Sequence, residues 1–165
     1  KIFLKLISEK TQTSWSPEFS EFKARITLNP ICPRYIKYKT FDLYWKMNEE
    51  QVKVVILHEL SHFLFFKKIK EIFPEVNEQE FESPHLIWKL SEIVPGIIFS
   101  KEVSELKLSN ERLYYTFLDN ITLNGKSLLE ELNNLYEKSK DFESFVKSSL
   151  IYLKENEQEL NNQFK

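Results

Sequence analysis

The feature that most limits how this chain can fold runs from residue 49 to about residue 68, EEQVKVVILHELSHFLFFKK, which contains neither proline nor glycine. Asn48, followed three residues later by Gln51, has the chemistry of a capping box and predicts where a helix begins. Val52, Val55, Ile56, Phe63 and Phe66 wrap round more than one stripe of that helix. It is therefore expected to be central, with neighbours on several sides. Within it, His58, Glu59 and His62 interrupt an otherwise apolar run, and burying them is costly unless a metal or hydrogen-bond partners receive them.

These three residues form H-E-x-x-H. Four residues advance a helix by a little over one turn, so both imidazoles lie on one face and can converge on an ion, with Glu59 beside them. Neutral imidazoles bind Zn²⁺ well, and a carboxylate next to a zinc-bound water can take its proton as the water attacks a polarised carbonyl. A shuffled chain of this composition would contain the pattern roughly 0.007 times, so accident is a poor explanation. A metal-free helix whose polar residues face solvent or one another is the alternative.

Two histidines leave a catalytic zinc one protein ligand short. Glu92 is the preferred third ligand: it lies in WKLSEIV, where a carboxylate among apolar neighbours needs a partner. Cys32 could also ligate, although a lone cysteine between Ile31 and Pro33 reads more simply as packing. His85, two helical turns before Glu92, could be a ligand, a donor to the reacting carbonyl oxygen, or a solvent-facing helix start. Trp88, between them, reads as core or as a pocket wall. A hydrolase needs donors for a developing oxyanion, and Tyr114, Tyr115, Arg112 and His85 can serve. Asp119 could orient a ligand histidine or cap the turn in LDNITLNG.

Elsewhere, SPEFSEFKARI predicts a short helix opening at Ser16-Pro17 and yielding near Lys23 to a strand in ARITLNP. YIKYKTFDLYWKM fits either strand or helix. The glutamate-rich KKIKEIFPEVNEQEFE reads as a solvated connector or a lid. Ser83-Pro84 should restart a helix that Pro95-Gly96 stops after Val94. SNERLYYTFLDN suggests another short helix, and SLLEELNNLYEKS with DFESFVKSSLIYLKENEQEL an antiparallel helical pair.

With 165 residues, 42% of them hydrophobic, residues 1–165 are expected to form a single domain. Fourteen Phe against two Gly favour helices with some extended segments over a turn-rich β-sandwich. The net charge of -2 provides no general field for polyanions, so nucleic acid is not an expected partner. Apolar runs are too short for a membrane-spanning helix. The single cysteine excludes an internal disulfide and suits a reducing, cytoplasmic compartment. Localisation is otherwise weakly constrained, since the chain begins at Lys1 and leaves room for an upstream segment.

In HELSH the chain resembles the zincin metallopeptidases, and WKLSEIV is similar to the glutamate-bearing helix of their gluzincin branch, especially its small single-domain bacterial members. The resemblance spans about residues 49 to 98. It implies an α+β, mostly helical fold with a small N-terminal sheet, Zn²⁺ on His58, His62 and Glu92, Glu59 as general base, and peptide hydrolysis. It also implies a peptide or protein substrate lying along an exposed edge strand, for which KARITLNP is the candidate. Residues 90–92 read Leu-Ser-Glu, without the asparagine-glutamate signature of longer thermolysin-like enzymes, and the metzincin continuation is missing. The alternative is a zinc-containing structural or protein-interaction module derived from a peptidase fold, without turnover.

Overall fold

The computed structural model describes residues 2–102, 108 and 113–164. Its elements, in chain order, are α1 (Ile2–Thr11), β1 (Lys23–Thr27), β2 (Arg34–Tyr35), β3 (Thr40–Tyr44), α2 (Glu49–Ile72) and α3 (Leu86–Ile98). They are followed by β4 (Thr122–Leu123), β5 (Lys126–Ser127), α4 (Leu128–Lys138), α5 (Phe142–Glu155) and α6 (Glu157–Gln163). The result is an α+β arrangement, mostly helical, with a small N-terminal sheet.

Helix α2 starts where the capping box places it. Asn48 Oδ1 accepts from the Gln51 N–H at 2.9 Å, and Gln51 Oε1 accepts from the Asn48 N–H at 3.1 Å. Every residue from 59 to 66 is buried, so the helix is enclosed on all sides at its middle, with α1, α3 and β3 packed against it. It runs past Lys68 to Ile72, so the acidic connector begins as helix. The connector then makes a 3-10 turn, Glu78–Phe81, that buries Phe81.

The sheet has the order β1-β3-β2, with β1 parallel and β2 antiparallel to β3. Alternation in β3 sends Phe41 and Leu43 into the core, while Asp42, on the other face, receives the Arg25 Nε–H at 2.8 Å. Arg34 pairs with Phe41 and so shares the inward face. That register turns its guanidinium toward the helices.

Several local expectations are corrected. The helix expected in SPEFSEFKARI is only a 3-10 turn, Pro17–Phe19, where Ser16 makes no side-chain cap bond, whereas the strand expected near Lys23 does begin there and pairs with β3. YIKYKTFDLYWKM resolves into a 3-10 turn, Ile36–Tyr38, and then β3, with Lys39 at φ 52° between them. α3 does not stop at Pro95-Gly96 but continues to Ile98, because burial of Pro95, Ile97 and Ile98 outweighs the weak helix preference of the two residues. Gly96 permits a close approach there: a Cβ would lie 2.2 Å from Cδ1 of Tyr114.

Of SNERLYYTFLDN, residues 109–112 lie outside the described residues, and Thr116–Asn120 is a 3-10 turn. β4 and β5 form a hairpin through Asn124 and Gly125, both at positive φ, as a two-residue Asn-Gly turn requires. α4 and α5 pack on each other and on α3. The last predicted helix breaks at Asn156 into α5 and α6. No helix among the described residues is long and apolar enough to cross a membrane.

Candidate metal centre

Helix α2 carries His58, Glu59 and His62, whose ligand-type atoms all lie within 4.8 Å of one another. Among the described residues they are the only group of three or more His, Cys, Asp or Glu arranged to hold an ion. Glu92 reaches them from α3, with Oε2 3.2 Å from His58 Nε2 and 3.8 Å from His62 Nε2. The two histidine Nε2 atoms are 3.0 Å apart. Donors around a tetrahedral ion at about 2.0–2.1 Å stand about 3.3 Å from each other, so this triangle has the size of a metal's coordination shell.

Protonation strengthens the fit. Leu113 O can only accept, so the 2.9 Å contact makes His58 Nδ1 its donor. A neutral His58 then presents a bare Nε2 to the Glu92 carboxylate and to His62. Electron-rich atoms this close require a shared proton or a cation between them. Burial pulls the His58 pKa down, but the hydrogen bond to Glu92 and the charges of Glu59 and Glu92 carry it above its usual value. His62, fully buried, is held well below its usual value by burial and by the positive charges of Arg34 and His58. It is a neutral imidazole, the form that ligates metals.

Glu92, only 2% exposed, would be raised by burial. His58 and Arg34 more than offset this and hold it below its usual pKa as a carboxylate. Glu59 has no such pairing: burial pushes it up to about 7, against the opposing pull of His58 and Arg34. Its Oε2 is buried with no hydrogen-bond partner, and so is His62 Nδ1. Glu59 and His58 line an open cavity of about 290 Å³, whose walls also include Pro30, Ile31, Cys32, Met47, Val54, Val55 and residues 113–115. A base of near-neutral pKa facing a cavity beside a metal-sized cluster supports a metal-dependent hydrolase mechanism.

Tyr114 and Tyr115 both line this cavity. The Tyr114 hydroxyl donates to Asp119 Oδ1 at 3.0 Å, so Asp119 meets a tyrosine. Tyr115 stands edge-on to His58, ring centroids 6.4 Å apart, and is 53% exposed. Partial burial of its hydroxyl near Glu92 and Glu59 pushes its pKa up to about 12, so it stays a proton donor at neutral pH. Cys32 is at the rim, its Sγ 3.7 Å from Pro30 O. His85 is exposed at the N-cap of α3 and does not line the cavity. Trp88 packs edge-on against Phe164, centroids 5.6 Å apart, away from the cavity. Arg112 lies outside the described residues.

Two contributors, Arg34 and Leu113, carry no sequence signal, and a third, Phe66, follows His62 at helical spacing. Arg34 Nη1 donates to Glu92 Oε1 at 2.9 Å across 58 residues of chain. The Leu113 carbonyl orients His58, and Phe66 stacks on the His62 ring at 5.8 Å. The roles of Arg34 and Leu113 arise from register and packing, which residue types do not encode.

Comparison with family models, with curated proteins and with solved structures finds no match to the chain. The geometry itself, a His58-Glu59-x-x-His62 cluster with buried Glu92 contacting both histidines, matches a gluzincin-like H-E-x-x-H site with a downstream glutamate.

Proposed function

We propose that the chain is a zinc-dependent peptidase formed by a single domain over residues 1–165, with His58, His62 and Glu92 as the metal ligands. The observation that carries this reading is the convergence of three electron-rich atoms at 3.0, 3.2 and 3.8 Å with Glu59 unpaired beside them. Zinc is the favoured ion because two imidazoles and one carboxylate are a donor set typical of catalytic zinc. When bound, it supplies a Lewis acid that polarises a carbonyl and lowers the pKa of water.

The chain's own residues provide the rest. Glu59 takes a proton from the attacking water at its unpaired Oε2 and delivers it to the departing amine. Leu113 O, by holding His58 Nδ1–H, aims Nε2 at the ligand triangle. Tyr115 donates its hydroxyl proton in a hydrogen bond to the oxyanion as it forms, with Tyr114 packed beside it. The substrate is an extended peptide or protein segment running along the edge strand β1 in KARITLNP, with Pro30, Ile31 and Cys32 just beyond it forming one cavity wall. His85 would act only on a substrate long enough to reach the start of α3. A cytoplasmic, reducing setting suits the free thiol of Cys32.

A cavity opening onto His58 and Glu59 favours turnover over a sealed structural zinc. The test is zinc content after reconstitution, measured together with cleavage of a mixed peptide library. Near-stoichiometric zinc with cleavage is expected. Zinc content near zero would refute the metal reading, and bound zinc without cleavage of any peptide would leave the structural module.

A further inference from the structure

Arg34 lies against the proposed zinc centre from the sheet side, and its contacts divide the Glu92 carboxylate in two. Oε1 accepts from Arg34 Nη1 at 2.9 Å, while Oε2 faces His58 and His62. We propose that Arg34 is a positioning residue that makes Glu92 a one-oxygen ligand and so keeps a fourth coordination position free for water; this rests on the zinc reading above.

A carboxylate with both oxygens free can chelate a divalent ion through both, and the second oxygen would occupy the place a water needs. Arg34 is built to prevent this. Its side chain is 10% exposed and that of Glu92 is 2% exposed, so neither exchanges its partner for solvent. Pairing of Arg34 with Phe41 directs it inward from β2. Its Nη2 donates to Phe81 O at 3.4 Å, and its Cζ sits 5.3 Å from the centroid of the Phe66 ring. Phe66 in turn stacks on both Phe81 and His62. The guanidinium is thus held by the packing that fixes the second histidine, and two forks of one planar group serve Glu92 and Phe81. Its Nε is buried with no hydrogen-bond partner, a cost borne while the other two nitrogens hold Glu92 and Phe81. A lysine, with one compact ammonium, cannot reproduce both contacts.

The test uses the full chain and the variants Arg34→Gln and Arg34→Lys, loaded with Co²⁺ for visible absorption and titrated with Zn²⁺ against a chromophoric chelator. Circular dichroism monitors folding. The wild-type protein should give the intense bands of four-coordinate Co²⁺. R34Q should give the weaker bands of five-coordinate Co²⁺ and bind zinc about 10–100-fold less tightly, the usual effect of removing a hydrogen-bond partner of a ligand. R34K should change the spectrum in the same sense with a smaller loss of affinity, and it decides the matter if R34Q does not fold. A five-coordinate wild-type spectrum, or folded variants whose spectrum stays four-coordinate whatever their affinity, would overturn the proposal. So would variants that fail to fold even with metal, since Arg34 would then be a stabilising ion pair only. Failure of the wild-type protein to bind either metal is a separate result that removes the zinc reading itself.

Discussion

At the scale of single residues, the site depends on which polar groups are paired and which are not. Glu92 is held as an anion by two partners, whereas Glu59, one residue from His58, has an oxygen with none. Glu59→Gln keeps the shape and removes the proposed base. It is expected to lower kcat by about 10²–10⁴-fold with zinc content unchanged, read by a peptide assay beside metal analysis. Tyr115→Phe removes one donor from the cavity wall. Its expected signature is a fall in kcat of about 10²–10³-fold with little change in zinc affinity; unchanged turnover would eliminate Tyr115 as the oxyanion donor. The pattern H-E-x-x-H was legible because helical spacing alone aligns its members. Arg34 was not, because nothing near it in the chain marks it as the partner of a residue 58 positions away.

At the scale of elements, α2 is specified locally and α3 is not. The reciprocal bonds of Asn48 and Gln51 define where α2 starts, and both are visible in four letters of sequence. Asn48→Ala should cost about 1 kcal/mol in chemical denaturation, the ordinary value of an N-cap, while leaving the ligand geometry in place. The end of α3 is decided by tertiary contact: Pro95-Gly96 reads as a stop, yet the helix passes through because Pro95, Ile97 and Ile98 are buried, and Tyr114 packs against Gly96 there. A methyl group there meets the ring at 2.2 Å, so Gly96→Ala must displace Tyr114. Overpacking of this kind should destabilise the fold by about 1–3 kcal/mol. Because Leu113 and Tyr115 flank the displaced residue, zinc affinity and kcat should fall as well, and a Gly96→Ala protein with wild-type values of both would contradict the packing account. Helix α1 likewise depends on tertiary contact, burying Ile7 in the core and packing against α2.

For the whole molecule, the proposed metal centre ties the sheet to the helices. The proposed ligands come from α2 and α3, His58 is oriented by the segment that follows α3, and Arg34 links β2 to Glu92. An ion bound at that junction stabilises only the folded chain. At a zinc concentration about 1,000 times the dissociation constant, linkage contributes about 4 kcal/mol. For a chain of this length, that corresponds to a rise in Tm of about 10 °C. Thermal unfolding with zinc and with a chelator is expected to show that shift as one cooperative transition in both cases. Two separated transitions would show that the sheet or the α4–α6 helices fold independently.

The sequence by itself determined α2, its cap and the shared face of His58 and His62, and it marked Glu92 as a carboxylate in need of a partner, since each follows from spacing or from the cost of placing a charge among apolar neighbours. The tertiary structure alone decided which groups surround them: Arg34 through strand register, Leu113 O through the path of the chain after α3, and Tyr114 through a gap that only glycine leaves. The physical reason is range. Helical periodicity and capping act over three or four residues, whereas the partners that orient a ligand are brought together by packing across the whole chain.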